Sequence, residues 1–184
     1  MRSISVVGNS GSGKTSVSRA IADRLSVPHL ELDSVHHQPN WTFRPDEEMR
    51  EIVAGFIAGD GWVVDGNYTS NGVAEIVWSR ADTLIWLDLP RLLVTGRVIG
   101  RSLRRVVTRE ELWSGNRERW RNLVDRRPEE NIILWSWTRD RHYREKYQAM
   151  SEDATWDHLD VIRLRGRREV RLFIDELMSA NDPG

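Results

Sequence analysis

The residues from Gly8 to Thr15 constrain this chain more than any other segment. They read Gly-Asn-Ser-Gly-Ser-Gly-Lys-Thr and match the pattern G-x-x-x-x-G-K-[ST]. A short apolar stretch, Ile4 to Val7, precedes them, and apolar residues recur at helical spacing from Ser16 to Leu25. A strand, a glycine-rich turn and a helix in this order predict a phosphate-binding loop, or P-loop.

The pattern indicates how this loop would hold a polyphosphate. Glycines let the backbone N–H groups point inward, and the N-terminus of the helix adds positive potential. Lys14 would reach the outer phosphates, and the Thr15 hydroxyl would ligate Mg²⁺. We therefore predict binding of a nucleoside triphosphate by Gly8, Asn9, Ser10, Gly11, Ser12, Gly13, Lys14, Thr15 and Ser16.

Composition narrows the class of protein. A chain of 184 residues and 21.4 kDa is expected to form a single domain over residues 1–184. Cysteine is absent, which excludes disulfides and thiol nucleophiles. The net charge of −1 argues against a protein whose main partner is nucleic acid. No apolar run is long enough to cross a membrane, so we expect a cytoplasmic protein. The sequence does not indicate an oligomeric state.

Strand and helix patterns alternate along the chain, which predicts a parallel sheet covered by helices on both faces. Proline suits the first turn of a helix, and Pro45, Pro90 and Pro128 are expected helix starts. The predicted strands are 3–7, 29–32, 62–64, 83–87 and 160–164, and the predicted helices are 14–25, 46–59, 71–79, 90–106, 128–148 and 167–180. Residues 108–127 have weak periodicity and are predicted to form a mobile lid.

Three aspartates follow predicted strands, at the edge of the sheet where open α/β folds bind ligands. Asp65 would hold Mg²⁺ through water, or else cap a turn with Gly66. Asp88 competes for the metal role, or caps the following helix. Asp33 would accept the proton of a substrate hydroxyl and orient it, or else cap a turn.

Arginines dominate the region from Arg91 to Arg127, which contains eleven of them and four acidic residues. Residues three or four apart share a helical face, so Arg97, Arg101, Arg104 and Arg105 lie together. They would donate to a transferring phosphoryl group as a lid closes, or form a solvated face. Other candidates are Arg109, Arg117 and Arg119 on the lid, and Arg139 and Arg141 on the returning helix. The predicted catalytic residues are Lys14, Asp33, Arg97, Arg101, Arg105 and Arg117.

These features together resemble the P-loop kinases of the adenylate kinase–shikimate kinase group. Asp65-Gly66 is similar to the pair that ends strand three of adenylate kinases, and Asp33 is similar to the strand-two aspartate of shikimate-type kinases. The resemblance implies an α/β fold, a three-layer P-loop NTPase with a five-stranded parallel sheet in the order 2-3-1-4-5 and a helical lid insertion. Residues 62–68, 85–90 and 112–118 resemble a subfamily described as adenylate kinase-like or DNA topology modulation proteins.

The resemblance implies a kinase that uses ATP and Mg²⁺ to phosphorylate a nucleoside, a nucleotide or another hydroxyl-bearing small molecule. The acceptor would lie against an arm of residues 34–60 together with Asn67, Tyr68 and Trp41. Where adenylate kinases continue their Asp-Gly with Phe-Pro-Arg, this chain has Asn67-Tyr68-Thr69. The alternative is an ATP-binding regulator or nucleic-acid modulator with slow ATP hydrolysis, in which Trp113 and Trp120 stack on bases.

Overall fold

A parallel sheet of five strands forms the centre of this computed structural model, which describes residues 2–118, 120–128 and 131–179. The strands are β1 (Ser3–Gly8), β2 (His29–Glu31), β3 (Trp62–Asp65), β4 (Thr83–Leu87) and β5 (Asp160–Leu164). Their spatial order is β2-β3-β1-β4-β5, so the predicted order is confirmed.

Helices connect these strands and cover the sheet. The described helices are α1 (Lys14–Leu25), α2 (Leu32–His36), α3 (Asp46–Phe56), α4 (Val73–Trp78), α5 (Arg91–Thr108), α6 (Trp120–Val124), α7 (Ile132–Ser151) and α8 (Arg167–Ser179). Short 3₁₀ turns occur at Pro39–Trp41, Trp113–Gly115 and Ala154–Trp156. Among the described residues, no helix combines the length and apolar character needed to cross a membrane.

The sheet is buried on both faces because successive strand side chains point in opposite directions. In β4, Leu84 and Trp86 belong to the core that packs against α3, α4 and α7. Ile85 and Leu87, the alternate residues, belong to the core beneath α1 and α8. The result is a sheet between two helical layers, with its strand ends free to carry a site.

The structure corrects several predicted boundaries. The helix predicted at 71–79 is the shorter α4, and the one predicted at 46–59 ends at Phe56. The helix predicted to start at Pro128 starts at Ile132, because the Asn131 side chain accepts hydrogen bonds from the N–H groups of Ile133 and Leu134. Residues 129 and 130, which were part of the predicted start, lie outside the described residues.

A more consequential difference concerns the end of β2. The strand stops at Glu31, and the unpredicted helix α2 follows at once. The Ser34 hydroxyl donates to the Glu31 carbonyl at 2.6 Å, and the His37 N–H donates to the Asp33 carbonyl at 3.1 Å, which favours this turn. Asp33 therefore projects from the first turn of a short helix rather than from a strand end.

Asp88 has neither of its predicted roles. Its carboxylate, which is 4% exposed, forms ion pairs with Arg144 at 2.8 Å and with Arg163 at 2.6 Å. The Arg163 guanidinium also lies 4.0 Å from the ring centre of Trp86, and no side chain caps the N-terminus of α5. Asp88 thus ties β4 to α7 and β5.

We expect Asp88→Asn to lower the free energy of unfolding by about 1–3 kcal/mol, because two arginines lose a charged acceptor while remaining partly hydrated. Denaturant unfolding would measure the change. Asp157→Asn, at an exposed position, is the control and should change stability by less than about 0.5 kcal/mol. Equal effects of the two substitutions would contradict the structural role of Asp88.

Candidate functional site

The loop between β1 and α1 lies directly against α5. Gly11 has a φ of 86°, and a Cβ at this position would lie 2.5 Å from Val98 Cγ2 and 2.8 Å from the Val94 carbonyl oxygen. Only glycine combines this left-handed backbone with so close an approach. The packing holds the loop against α5, the helix that carries the predicted arginine face.

Asn9 anchors the loop from the other side. Its side-chain amide donates to the Ser136 carbonyl at 2.7 Å and to Asp140 Oδ1 at 3.2 Å, and its Oδ1 accepts from the Ser10 N–H. The Ser136 hydroxyl in turn donates to the Ser10 carbonyl at 3.1 Å. The buried side chain of Asn9 is thus committed to α7 and to the Ser10 N–H, and binding of a nucleotide by the backbone of this residue stays a prediction.

Asn67 fixes the start of the loop. Its Oδ1 accepts from the Gly8 N–H at 3.2 Å, and its Nδ2 donates to the Gly8 carbonyl at 2.7 Å. Tyr147, a fully buried residue of α7, donates its hydroxyl to the same Oδ1 at 2.8 Å. Side chains from the segment after β3, from α5 and from α7 therefore set the loop conformation.

Lys14 begins α1 and folds over the loop, where its Nζ donates to the Gly8 carbonyl at 2.9 Å and to the Asn9 carbonyl at 3.3 Å. Burial lowers the pKa of Lys14, whereas the negative charges of Asp33 and Asp65 favour its protonated form. The ammonium group thus lies between the loop and the carboxylates of the neighbouring strand ends. Together with the N-terminus of α1, it makes a positively polarised pocket suited to an anion.

Thr15 lies between two carboxylates. Its hydroxyl is 3.2 Å from Glu31 Oε1 and 3.3 Å from Asp65 Oδ1. Asp65 is 2% exposed, and its second oxygen is 2.6 Å from His29 Nε2. Burial, followed by the charges of Asp65 and Asp33, raises the pKa of Glu31. The structure thereby places the hydroxyl of Thr15 and the carboxylate of Asp65, the two predicted metal ligands, next to each other.

Glu31 and His29 were not predicted as site residues. The signal that could have identified them is the two-residue period of a strand, which places positions 29 and 31 on one face. The oxygen donors of Thr15, Glu31 and Asp65 suit a hard divalent cation. Among the residues that the structure describes, no group of three or more His, Cys, Asp or Glu is arranged as a metal site on its own. This donor set would therefore need phosphate oxygens and water to complete a Mg²⁺ shell.

The arginine face of α5 turns toward the loop. Arg97 donates to the Ser12 carbonyl at 3.0 Å, and Arg101 donates to Ser10 Oγ at 3.4 Å. Within the described part of the chain, the buried Nε of Arg101 has no hydrogen-bond partner. Arg105 is 3.0 Å from Glu118, and Arg104 is 2.9 Å from Glu110, so these two guanidinium groups are already paired.

The remaining candidate arginines are not brought to this point. Arg117 pairs with Glu111 at 3.5 Å and lines a second, smaller cavity. Arg109 ends α5 in a left-handed conformation, and Arg139 lies over the ring of Trp135. Arg141 pairs with Glu145 at the surface. Arg119, also placed on the lid, lies outside the described residues.

Asp33 faces the loop from the opposite side of the cleft. The Tyr68 hydroxyl donates to Asp33 Oδ1 at 2.6 Å. Burial is the main cause that raises the pKa of Tyr68, and the charge of Asp33 adds to it. Tyr68 therefore stays protonated and orients the Asp33 carboxylate.

Two loops of the same shape meet above Asp33. The arm loop is residues 37–43 and the lid loop is residues 111–117, and each is closed by an antiparallel bridge between its first and seventh residues. Each has a left-handed residue at its fourth position, Asn40 with a φ of 61° and Ser114 with a φ of 57°. The arm and the lid thus present matching turns to each other.

Asn116 joins the two loops. Its side chain accepts from the Trp41 N–H at 3.0 Å and donates to the Gln38 carbonyl at 2.9 Å. The Ser114 hydroxyl donates to the His37 carbonyl at 2.7 Å. The Trp113 indole stacks on His37, with 5.3 Å between the ring centroids. The lid loop therefore contacts the arm through backbone, side-chain and ring contacts.

A cleft of about 1980 Å³ runs between these elements. The P-loop, Lys14, Asp33, Tyr68 and the aromatic residues of the arm all line it. Because pockets for one small molecule usually measure about 300–1,000 Å³, this cleft is large enough for two substrates side by side.

Two solved structures share this architecture over nearly the whole chain. An uncharacterized protein from Eubacterium ventriosum ATCC 27560 is 18% identical, with a TM-score of 0.52 and 98% of each chain covered. Shikimate kinase from Bacteroides thetaiotaomicron is 12% identical, with a TM-score of 0.51 and 96% of each chain covered. The fold is that of the P-loop kinases. No protein-family model and no curated sequence matches the chain, and the similarity at these identities concerns the fold alone.

We expect Asn116→Ala to loosen the contact between the arm loop and the lid loop, because two backbone groups lose their partner. The expected cost is about 1–3 kcal/mol. Hydrogen exchange at residues 37–43 should accelerate, while exchange in β1 and β4 stays unchanged. The control is Thr138→Ala, which removes a hydroxyl bonded only within its own helix. Unchanged exchange in the arm loop would contradict the proposed docking.

Proposed function

We propose that this chain is an ATP- and Mg²⁺-dependent kinase that transfers the γ-phosphoryl group to a hydroxyl of a small molecule, such as a nucleoside or a nucleotide. The observation that carries the proposal is the placement of Asp33 and Lys14 in one cleft, with the P-loop on one side and the Tyr68-bound carboxylate on the other. A phosphoryl donor and an acceptor hydroxyl would meet between them.

The residues from Ser10 to Ser16 would hold the donor phosphates through their backbone N–H groups, and Lys14 would exchange its carbonyl contacts for phosphate oxygens. Thr15, Glu31 and Asp65 would hold Mg²⁺, directly or through water. When bound, Mg²⁺ neutralises charge on the phosphates and fixes their orientation. His29 would keep the Asp65 carboxylate turned toward this position.

Asp33 would accept the hydrogen bond of the acceptor hydroxyl and take its proton as the hydroxyl oxygen bonds to the γ-phosphorus. The bond between the γ-phosphorus and the β–γ bridging oxygen would break in the same transfer, and ADP would leave. Tyr68 is a positioning residue, because its hydroxyl holds one carboxylate oxygen of Asp33. A carboxylate at this place would repel an anionic attacking group, which favours a hydroxyl as the nucleophile.

Arg101 is the arginine best placed to stabilise the transferring group, since its guanidinium contacts the P-loop at Ser10 and its buried Nε is an unused donor among the described residues. Arg97 would support the P-loop through the Ser12 carbonyl. Arg105 would act only if it exchanged Glu118 for the phosphoryl group, and Arg117 has no part in this proposal.

The alternative of a nucleic-acid modulator draws on the arginines of the lid region. Glu110, Glu111 and Glu118 pair with Arg104, Arg117 and Arg105, and Asp125 pairs with Arg127. These pairs engage four of the eleven arginines of the region, and two more, Arg97 and Arg101, face the P-loop. The net charge of the whole chain, −1, also disfavours a phosphate backbone as the main partner. The kinase therefore accounts for more of the geometry.

The first test is ADP formation from Mg²⁺-ATP, measured with and without nucleosides, nucleotides and small hydroxyl compounds. At least one acceptor should raise turnover about tenfold or more above the water background. If none does, and Lys14→Ala still abolishes a slow basal hydrolysis, the ATP-binding regulator becomes the better explanation.

Asp33→Asn should lower acceptor-dependent turnover by about 10²–10⁴-fold, because the variant keeps the shape of the side chain but cannot take a proton. Binding of an ATP analogue should change little. Asp23→Asn, on the exposed side of α1, is the matched control and should leave turnover unaffected. Full transfer by Asp33→Asn would refute the assignment of Asp33 as the base.

A further inference from the structure

Positive charge is distributed unevenly over the cleft. The lysine and arginine residues that line it all belong to α1, α5 and α8, on the side of the P-loop. Several of these are already engaged: Arg97 and Arg101 with the P-loop, and Arg105 with Glu118. The opposite side, formed by the arm and the segment after β3, is lined by no lysine or arginine among the described residues.

The arginines of the arm itself are turned to other partners. Residues 29–79 contain two arginines, Arg44 and Arg50, and no lysine. Arg44 donates to the Val35 carbonyl at 2.8 Å, and Arg50 donates to the Asn71 carbonyl at 2.8 Å. Both also pair with glutamates of α3, Glu48 and Glu47 respectively. These contacts hold the arm together and do not point cations into the cleft.

Aromatic rings take the place of cations on this side. His36 stacks on Phe43 at 4.6 Å and lies 4.8 Å from the Tyr68 ring. His37 stacks on Trp113 of the lid loop. Burial lowers the pKa values of His36 and His37, so both imidazoles are neutral at pH 7. The Nδ1 atoms of both are buried without a hydrogen-bond partner within the described chain, and each could bond a polar ring substituent.

An anionic acceptor would meet an unfavourable field here. Asp33 must lie next to the acceptor hydroxyl, and its carboxylate already accepts from Tyr68. A phosphate or carboxylate on the acceptor would be desolvated against this carboxylate, and among the described residues no lysine or arginine of the arm or of the segment after β3 lines the cleft to compensate it. An uncharged ring would instead exchange water for favourable stacking contacts with the aromatic rings.

We propose that the acceptor is an uncharged, ring-bearing alcohol of the nucleoside type, and that this side of the cleft discriminates against acceptors carrying a phosphate or a carboxylate. His36, Phe43 and Tyr68 would contact the ring, Asp33 would take the hydroxyl, and Trp113 would cover the ring when the lid loop is docked. The proposal rests on the proposed kinase function and narrows its substrate class.

The test uses matched pairs in the presence of Mg²⁺ and a non-hydrolysable ATP analogue. Nucleosides are compared with their 3′- and 5′-monophosphates, and aromatic alcohols with the corresponding carboxylates, by calorimetric titration. The uncharged member of a pair should bind at least about tenfold more tightly. Equal or tighter binding of the charged members would overturn the proposal, and so would the absence of binding by every compound at millimolar concentration.

A substitution tests whether the ring cluster causes the preference. Phe43 is 63% exposed, so Phe43→Arg should fold normally and place a cation in the cluster. We expect it to reduce the preference for uncharged compounds at least about tenfold. Leu92→Arg adds the same charge at a residue of α5 that is 76% exposed, and it should leave the preference unchanged. Equal effects of the two variants would show that net charge, and not this cluster, sets the preference.

The same compounds test the kinase function and the ligand class separately. Tight binding of uncharged compounds with no phosphorylation when ATP replaces the analogue would refute the kinase function and leave the inference about ligand class intact. Phosphorylation with a preference for the monophosphates would support the kinase function and refute the inference.

Discussion

The site depends on how the loop from Gly8 to Gly13 is held. Hydrogen bonds from three directions fix it: Asn67 holds Gly8, residues of α7 hold Asn9, and arginines of α5 hold Ser12 and Ser10. Gly11 could not approach α5 as it does if it carried a side chain. Ordering a flexible loop upon binding would cost conformational entropy and so weaken phosphate binding. A loop of inward-facing amides that is already ordered avoids this cost. The surrounding fold provides that order.

Charge separation across the loop follows from this arrangement. The arginines lie on α5, and the carboxylates Glu31, Asp33 and Asp65 lie on the far side of Lys14. Burying arginines next to arginines, or carboxylates next to carboxylates, is costly. The positive charge of Lys14 stabilises both the nearby carboxylates and an incoming phosphate. Glu31 lies at the donor end, where its carboxylate accepts a hydrogen bond from the Thr15 hydroxyl.

The sequence predicted the features that depend on local spacing. The P-loop follows from its motif, and the parallel sheet follows from the alternation of strands and helices. The order of the strands came from the resemblance to the P-loop kinases. The turning of Arg97 and Arg101 toward one surface follows from helical periodicity. The features that the sequence did not predict depend on contacts between residues far apart in the chain. Asn116 and Trp41 are 75 residues apart, and nothing near either residue indicates their contact. The sequence allows Asp88 to bind the metal or to cap α5. Its carboxylate instead pairs with arginines of α7 and β5, which lie far from it in the chain. Asp33 moved into a helix because the hydroxyl of Ser34 favours a turn.

The most direct test of this account follows the fate of the phosphoryl group. ATP labelled in its γ-phosphoryl is incubated with the protein, Mg²⁺ and an excess of nucleosides, and the labelled products are separated. We expect label to appear on a nucleoside hydroxyl, and we expect Asp33→Asn to abolish this product while Asp23→Asn does not. Label found only in inorganic phosphate, in amounts that do not depend on the nucleosides, would contradict it.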